Sequence, residues 1–523
     1  MIKKRSFVQG ALILSAAGIV SKLLGAVYRI PFANMVGNEG VGLYQMAYPI
    51  YTALLSLSTG GIPVAVSILV AEHLSKGDRQ GANRVLFTAL TILGITGLAL
   101  SLGMYAGAEF IAENLLYDGR AVYSLMLISP ALLFTAMVAP LRGYFQGGQN
   151  MVPTAVSQVV EQLVRVGTVF AGAYFLMPYG LEFAAAGATF GAVTGGLAAL
   201  LVLLGFYFAT RATSGTKTAL SYRRSVVQLA RLALPICFGG LVMPLMQTID
   251  ALVVPLRLRT AGCGVSGATA MYGELTGMAG PLISLTGVVT TALAASLVPV
   301  VSASIAAGKA GMLKRRVEEA LRLAIMICLP AAVGLTVLAK PISFTLYKLP
   351  SMGLTLAALA PAAFFLGMYQ VSAGALQGLG KTGLPVRNLV AGSVLKLLLT
   401  YYLTALPQWG VKGAAIGSVG GFALAAALNF QALYMRMPPG FHLSGLLLKP
   451  TLAGTIMAII LVGARDQFAV SRFTGLVLVL AGAFVYGVSL VFLGELKARE
   501  ISLMPFVGKT LAKLLLDIGI VRE

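Results

Sequence analysis

Apolar residues form long stretches along the chain, separated by short polar or charged segments. A membrane-spanning helix needs about 20 mostly apolar residues. By that criterion the pattern predicts an all-α polytopic membrane protein with about fourteen transmembrane helices. The predicted helices cover 8–32, 41–71, 85–108, 121–141, 154–177, 183–209, 226–254, 268–305, 320–339, 354–377, 388–405, 411–434, 446–464 and 473–494.

An even number of helices places both termini on one side of the membrane, and the basic residues indicate which side. If the N-terminus is cytoplasmic, 26 of the 38 Lys and Arg residues lie on the cytoplasmic side, eight outside and four within helices. This asymmetry follows the positive-inside rule. The run M-I-K-K-R before the first apolar segment resembles the start of a signal peptide, but the segment is predicted to remain as an uncleaved helix.

Composition agrees with this assignment and excludes several classes of function. The chain is 58% hydrophobic and 11% charged, where a soluble protein would carry about 25% charged residues. The net charge of +21 is explained by cytoplasmic loops beside anionic lipid, so no nucleic-acid partner is expected. Three scattered cysteines and two distant histidines predict neither a disulfide framework nor a metal site.

The sequence contains an internal repeat. Residues 130–147 align with 361–378, and 187–195 align with 413–421, with shifts of 231 and 226 positions. Six helices per copy return the chain to the same side of the membrane, so the copies are predicted to be parallel repeats around a central cavity. Both copies carry consecutive G-x-x-x-G motifs, which favour close helix packing.

The repeat predicts four regions. They are an N-terminal six-helix lobe at 1–215, a C-terminal six-helix lobe at 216–440, helices 13 and 14 at 441–495, and a cytoplasmic tail at 496–523.

Cations in the first helix are the strongest candidates for function. Gly18, Lys22, Gly25 and Arg29 are spaced so that they form one stripe of a helix. Because a cation in the bilayer centre is costly, this stripe is predicted to face protein or a water-filled cavity. The alternative is that both cations extend to opposite membrane interfaces.

The fifth helix carries Glu161 and Arg165 with the favourable i, i+4 order, and Gln158 and Gln162 extend the same polar face. Two interpretations stay open at this point. The pair neutralises itself so that the helix can insert, or it lines a substrate cavity.

Asp250 is the only acidic residue within the seventh predicted helix, so a partner from elsewhere is expected. Arg29 is one candidate. The others are Arg257 and Arg259, which lie near the outer end of the helix and are also candidates for an outer gate.

Glu274 and Lys396 complete the set of candidate cavity residues. Glu274 lies near the outer end of the eighth predicted helix, where exposure to water is the alternative to a cavity role. Cations that face a cavity suit an anionic substrate such as a pyrophosphate, which Arg can bind through charged hydrogen bonds.

Motifs for nucleotide use and enzyme chemistry do not fit. The segment G-A-L-Q-G-L-G-K-T at 374–382 follows an apolar helix, and Ala375 stands where a phosphate loop requires glycine. H-E-x-x-H and D-x-D are absent, and the longest predicted outer loops have about a dozen residues, so a wall-sugar polymerase or ligase is disfavoured. No cofactor is expected, which leaves membrane potential, a Na⁺ or H⁺ gradient, or downhill substrate flow as energy sources.

Three N-terminal motifs carry a family resemblance: G-N-E-G-V-G-L-Y-Q-M-A-Y-P at 37–49, L-S-T-G-G-I-P-V-A-V-S at 57–67 and L-V-A-E-H-L-S-K-G-D at 69–78. With them, the chain resembles the polysaccharide biosynthesis and stage V sporulation protein B group. That group belongs to the multidrug/oligosaccharidyl-lipid/polysaccharide (MOP) flippase superfamily, which includes the MurJ lipid II flippases.

The resemblance implies two six-helix lobes around a central cavity that opens alternately to each side. In MurJ-like relatives, cations of helix 1 bind the anionic head group, and the family pattern there matches Ser21, Lys22, Gly25 and, one residue late, Arg29. The last two helices would form a groove for the lipid tail, at 446–494.

One residue departs from the MurJ pattern, because Glu274 stands in the helix where those relatives carry a basic residue. The resemblance implies a plasma-membrane transporter that moves an undecaprenyl-pyrophosphate-linked precursor, with lipid II preferred, to the outer leaflet. Expected partners are the lipid-linked glycan, membrane lipids and cell-wall synthesis proteins. The alternatives are another lipid-linked oligosaccharide, for capsule or spore wall, and a cation-coupled multidrug antiporter that would use Asp250 and Glu274.

Overall fold

A computed structural model describes residues 7–210, 222–437, 444–467 and 473–495. Over these ranges the chain is helical and contains no β-strand. The α-helices in chain order are α1 Phe7–Val27, α2 Arg29–Thr59, α3 Ile62–Ser75, α4 Arg79–Ala106, α5 Ala108–Phe110, α6 Ala121–Ile128, α7 Ala131–Gly147, α8 Val152–Leu176, α9 Leu181–Thr189, α10 Gly191–Thr210, α11 Tyr222–Thr260, α12 Val265–Gly273, α13 Gly280–Ala306, α14 Ala310–Val337, α15 Ala339–Tyr347, α16 Met352–Leu359, α17 Pro361–Gly378, α18 Gly383–Leu403, α19 Val411–Tyr434, α20 Ser444–Gln467 and α21 Thr474–Phe492.

The boundary between α1 and α2 is a local interruption in an almost continuous helix. Pro31 lacks the N–H that would bond to the carbonyl of Val27, while the Tyr28 and Phe32 amides still donate to the carbonyls four residues earlier. The first real break is Gly37, with φ 71° and ψ −179°, a conformation that favours glycine. The first predicted helix, 8–32, is therefore shorter than the observed helical run, which reaches Val36.

The second predicted helix, 41–71, is divided where the sequence has two adjacent glycines. Gly60 ends α2, and Gly61, with φ 75°, precedes α3. Because α3 begins with a proline in its first turn, the chain restarts the helix immediately.

Twelve segments of the described residues are long and apolar enough to cross a membrane. One of them, Ile13–Ser75, contains most of the first predicted helix and all of the second, and α18 is not among the twelve. The all-helical, multi-pass architecture is confirmed, and the number fourteen stays a prediction.

The chain divides into two compact units, Met1–Met278 and Ala279–Glu523. The predicted domain boundaries near 215 and 440 fall within 211–221 and 438–443, outside the described residues, and they stay predictions. The predicted cytoplasmic tail at 496–523 also lies outside the described residues.

The first unit is built around α2, α7 and α8. Helix α8 packs against α1, α9 and α10, while α2 packs against α9, α11 and α12. One apolar cluster joins α3, α4 and the first half of α11, and a second joins α4, α7 and α10. These helices bring the N-terminal cations and the polar face of α8 into the same unit.

The second unit has a core of α13, α14, α17 and α19, and α18 packs along α19. Asn388 of α18 donates to the side chain of Asn429 in α19 at 2.9 Å, and both residues are buried. Arg322 of α14 forms an ion pair with Glu495 at 2.7 Å, which connects the end of α21 to α14.

Glycines hold equivalent helix pairs together in both units. A Cβ built on Gly195 of α10 would lie 2.8 Å from the carbonyl oxygen of Glu161, and a Cβ on Gly421 of α19 would lie 2.8 Å from that of Gly392. Such distances leave no room for a larger side chain. The G-x-x-x-G motifs therefore act in packing, as predicted.

Candidate anion-binding site

Helices α1 and α8 run parallel and touch through small residues. A Cβ built on Gly10 would lie 3.1 Å from Met151 Cγ, and one on Gly25 would lie 3.3 Å from Gln162 Nε2. Residue numbers thus increase in the same direction on both helices. The Gly25 side of the predicted stripe faces the polar face of α8, so this part of the prediction is confirmed.

One helical turn earlier, the same two helices bring Ser21 and Gln158 to a similar level. The hydroxyl of Ser21 and the side-chain oxygen of Gln158 are both buried and have no hydrogen-bond partner among the described residues. Lys22, beside Ser21, is exposed on the surface of the first unit. The helix pair therefore carries polar groups available to a ligand.

Arg29 lies among tyrosines of α2. Tyr28 and Tyr44 share a hydrogen bond at 3.1 Å, and the rings of Tyr44 and Tyr48 stack with centroids 5.8 Å apart. The guanidinium of Arg29 lies near the side chains of all three tyrosines. Its Nε is buried without a hydrogen-bond partner, and Arg29 forms no ion pair within the described part of the chain.

Glu161 is shared between two arginines. Its Oε1 accepts from Arg165 Nη2 at 2.7 Å, and its Oε2 accepts from Arg142 Nη2 at 2.9 Å. Arg142 also donates to Ser157 Oγ at 3.2 Å. The three charged side chains are only 13–19% exposed, so they form one buried ion-pair network.

Tyr48 connects the two groups of residues. Its hydroxyl accepts from Arg165 Nη1 at 3.1 Å, and the same tyrosine interacts with Arg29. Arg165 Nε is buried without a hydrogen-bond partner among the described residues. We call Arg29, Tyr48, Arg142, Glu161 and Arg165 the arginine cluster.

The arginine cluster carries three guanidinium groups and one carboxylate, so its formal charge is +2. Buried cations are costly unless they are paired. Two guanidinium groups keep an unused N–H donor. Planar guanidinium groups bind phosphate oxygens through several charged hydrogen bonds. The arrangement can therefore hold a compact anion.

Glu161 and Arg165 form the predicted i, i+4 ion pair, and their role in lining a substrate cavity stays a prediction. Glu161 also accepts a hydrogen bond from Arg142, a residue that the sequence analysis predicted to lie in an inner loop. Helix α7 continues to Gly147 and carries Arg142 against α8. The signal that could have found Arg142 is the helical pattern continuing through R-G-Y-F-Q-G. Tyr48, the other residue that was missed, has no comparable signal.

Glu274 is buried, with 7% of its surface exposed, so the alternative of exposure to water does not apply, and its cavity role stays a prediction. Its Oε1 accepts from Asn38 Nδ2 at 2.9 Å. The contact forms because α12 packs closely on α2 just after the break at Gly37. Glu274 begins a π-helical turn, Glu274–Ala279.

Asp250 is half-buried on α11 and interacts electrostatically with Tyr272 of α12. Arg259 is directed elsewhere: it donates to the carbonyl of Tyr117 at 3.2 Å and lies 5.9 Å from the centre of that ring. Arg257 is half-buried at the same end of α11. The outer-gate role of Arg257 and Arg259 stays a prediction.

A second ion-pair network lies between the predicted membrane segments, near α2. Arg120 pairs with Asp118 at 2.8 Å and with Glu39 at 2.7 Å, and Thr269 donates to Asp118 at 2.7 Å. Burial opposes ionisation of Asp118, but hydrogen bonds from Arg120 and Thr269 outweigh it and lower the pKa of that carboxyl. The network ties α2 to α12.

Lys396 lies in the second unit, buried on α18 against α19. The structure therefore brings Lys22, Arg29, Glu161 and Arg165 into the first unit, where Asp250 and Glu274 also lie. Among the described residues, no group of three or more His, Cys, Asp or Glu side chains is placed to hold a metal ion.

The described residues contain twelve apolar segments long enough to cross a membrane, and together with the relatives given below they define the class of protein: a multi-pass membrane transporter, not an enzyme. The chain belongs to the polysaccharide biosynthesis protein family, whose profile matches residues 7–305, and residues 235–402 match the MatE family. These families place it in the MOP flippase superfamily.

Relatives of known name cover most of the chain. Stage V sporulation protein B of Bacillus subtilis is 33% identical, over 98% of this chain and all of the relative. Lipid II flippase MurJ of Bacillus subtilis is 30% identical, over 86% of each chain.

A solved structure of lipid II flippase MurJ in an inward closed conformation matches with a TM-score of 0.69, at 17% identity, over 91% of this chain and 98% of that one. An inward-facing multidrug resistance MATE transporter matches with a TM-score of 0.68, at 20% identity, over 80% and 94%. At these identities the likeness shows the fold alone.

Proposed function

We propose that this chain is a flippase that moves an undecaprenyl-pyrophosphate-linked cell-wall precursor from the inner to the outer leaflet by alternating access, and that lipid II is its substrate. One observation carries the proposal. Arg29 and Arg165, on either side of Tyr48, each keep a buried N–H donor without a partner in the described chain. These donors suit the phosphate oxygens of a pyrophosphate.

The charged head group is the difficult part of such a substrate to move. A charged side chain at the bilayer centre costs about 2.5–3.5 kcal/mol on insertion scales, which are the lowest estimates. A site of formal charge +2 within the first unit would offset that cost. Lys22, exposed beside the buried Ser21 hydroxyl, would meet the head group as it enters.

A second candidate substrate is another lipid-linked oligosaccharide, such as a capsule or spore-wall glycan. The match to stage V sporulation protein B over nearly the whole chain favours it. The pyrophosphate contacts would be the same, since both substrates share that linkage.

A cation-coupled multidrug antiporter is the third candidate, and the match of residues 235–402 to the MatE family favours it. It would rely on Asp250 and Glu274. Glu274 is already engaged by Asn38, however, and the buried charges of the arginine cluster are mainly positive. These observations favour an anionic substrate.

The proposal includes the cellular setting. The chain would lie in the plasma membrane with both termini in the cytoplasm, beside cell-wall synthesis proteins. Transport would draw on the membrane potential or a Na⁺ or H⁺ gradient. Each charge that crosses the membrane is worth about 2.3 kcal/mol per 100 mV. Lys396 would act in the second unit as a further cation of the head-group path.

A leaflet assay tests the function. In cells depleted of this protein and its relatives, an externally added enzyme cleaves lipid II only where it is exposed outside. Cleavage should be lost on depletion and return with the wild type but not with Arg29→Ala. Lys76→Ala removes a cation from an exposed surface pair and serves as the matched control. Continued lipid II exposure in depleted cells would contradict lipid II as the substrate.

A further inference from the structure

Glu161 has a position that neither helix insertion nor packing explains. A self-neutralising pair on α8 needs only Arg165. Glu161 instead uses its second oxygen for Arg142 of α7, and each oxygen accepts one charged hydrogen bond of 2.7–2.9 Å. The carboxylate therefore lies between two guanidinium groups, as a bound anion would.

The internal repeat supplies a control for packing. A Cβ on Gly195 would lie 3.1 Å from Arg165 Cβ, and a Cβ on Gly421 would lie 2.8 Å from Lys396 Cβ, so Arg165 and Lys396 hold equivalent places. At the shift of 231 positions, Gly392 stands in the place of Glu161. The helix pair of the second unit thus packs without an acid there.

The same shift places Ala373 opposite Arg142. The carboxylate and its second arginine are therefore present together in one copy and absent together in the other. This pairing fits a function for Glu161 that depends on Arg142.

We propose that Glu161 is a built-in counter-ion, which holds Arg142 and Arg165 until an anionic head group displaces it, and which promotes release of that head group afterwards. The inference rests on the proposed function, because the anion is the pyrophosphate of the substrate. It goes further because it assigns a role to Glu161, which is negatively charged like the substrate: the carboxylate and the head group alternate as partners of the two arginines.

The charge balance identifies the class of anion. The displaced Glu161 stays ionised within the cluster, so Arg29, Arg142, Arg165 and Glu161 together keep a formal charge of +2. A pyrophosphate diester carries two negative charges and would neutralise it. A single carboxylate or a phosphodiester would leave one buried positive charge, which is unfavourable.

Competition between Glu161 and the head group weakens binding and speeds release. An interaction that only strengthens binding of the ground state does not accelerate turnover. Removing the competing carboxylate should therefore tighten binding and slow release. We expect Glu161→Gln to bind inorganic pyrophosphate about tenfold more tightly and to transport with a lower maximal rate at a lower half-saturating concentration.

The test uses the full chain in lipid nanodiscs, titrated with inorganic pyrophosphate by calorimetry at fixed ionic strength. Wild type, Glu161→Gln and Glu161→Asp are compared, with the exposed Glu109→Gln as the matched control. Tighter binding by Glu161→Gln alone, with Glu161→Asp and Glu109→Gln near wild type, supports the inference. Unchanged or weaker binding by folded Glu161→Gln overturns it.

Loss of Glu161 leaves two buried arginines with one partner fewer, and the single variant could fail to insert. The double variant Glu161→Gln with Arg142→Gln restores the formal charge of +2. In this variant Arg165 has no carboxylate partner, so its guanidinium is available to pyrophosphate. It should bind pyrophosphate several-fold more tightly than wild type, and equal or weaker binding overturns the inference. The proposed function fails separately, if wild type binds pyrophosphate but moves no lipid-linked pyrophosphate in the leaflet assay.

Discussion

The α8–α10 pair of the first unit and the α18–α19 pair of the second share their packing and differ in their chemistry. Gly191 and Gly417 approach the backbones of Arg165 and Lys396 in the same way, with built Cβ atoms 2.9 and 3.0 Å from the respective carbonyl oxygens. The first pair then adds a tyrosine, a glutamate and a second arginine.

The second pair places an amide network near the equivalent level instead. Asn388 donates to Asn429, which donates to Ser372 Oγ at 3.2 Å. The difference teaches that the repeat preserves how helices approach one another, whereas the side chains on that scaffold determine which unit holds the anion. Function is therefore not expected to be symmetric between the two copies.

The largest expected effect comes from Arg165→Ala. Removing one partner of a buried ion pair costs about 3 kcal/mol or more, and the loss of charged hydrogen bonds to the head group should lower transport about a hundredfold. Lys396→Ala, at the equivalent place, should lower transport less than tenfold, because lysine offers a point charge and no planar fork. Equal losses of transport for the two variants in the leaflet assay would contradict the claim that the anion site lies in the first unit.

Leucine substitutions in the shared packing should affect both units alike. Gly195→Leu and Gly421→Leu would force the helices apart, and each should destabilise the protein by about 1–3 kcal/mol. Gly205→Leu and Gly334→Leu, where a Cβ would meet nothing within 4 Å, are the controls. Thermal unfolding of the purified protein measures the effect. If only one member of the pair is sensitive, the packing is not equivalent.

Tyr48→Phe tests whether the tyrosine hydroxyl of the first unit contributes to transport. It removes the hydroxyl that accepts from Arg165 while it keeps the ring stacked on Tyr44. A hydrogen bond to a charged group contributes about 1.5–3 kcal/mol to stability, so we expect a loss of thermal stability of that order together with roughly a tenfold loss of transport. Tyr174→Phe, at an exposed tyrosine, should behave as wild type. Wild-type transport by Tyr48→Phe would remove Tyr48 from the site.

The smallest effect concerns Asp118, in a network of the first unit away from the arginine cluster. Its pKa is lowered in the folded protein, so its contribution is present above the unfolded value of about 3.9 and is lost as pH falls through the lower folded value. The contribution is below about 1 kcal/mol because Arg120 is partly exposed. Asp118→Asn should reduce stability at pH 7 and converge with wild type as pH falls below the lowered folded pKa of Asp118. A constant difference across that range would contradict the assignment.

Much of the fold was predictable because lipid imposes long apolar helices. Thirteen of the fourteen predicted segments overlap apolar helices of the described chain, and α18 covers the remaining one. Helix breaks were less predictable. Gly37 falls in the gap predicted between 32 and 41, whereas the Gly60–Gly61 pair divides the predicted helix 41–71, because glycine adopts a positive φ readily and this leaves no mark in the apolar pattern.

Only the charged residues within apolar helices were predictable members of the candidate site. The sequence identified Arg29, Glu161 and Arg165 because a charged side chain within an apolar helix is energetically costly and is therefore rare without a functional or pairing role. Tyr48 is one of several polar-tipped aromatic residues of α2, and only the packing of α2 near α8 selects it. For Glu274, the position near a helix end left exposure to water open as an alternative, and only the tertiary contact with Asn38 shows that the residue is buried.

Photo-crosslinking from position 162 tests the central claim most directly. Gln162 lies beside Gly25, on the face of α8 that carries Glu161 and Arg165. The chain with a photoreactive amino acid at 162 should crosslink to radiolabelled lipid-linked pyrophosphate in membranes, and inorganic pyrophosphate should compete. A probe at exposed Leu163, one position along the helix, should give no crosslink that inorganic pyrophosphate reduces. Crosslinking at 163 but not at 162, or crosslinking at 162 that pyrophosphate leaves unchanged, would contradict an anion site in the first unit.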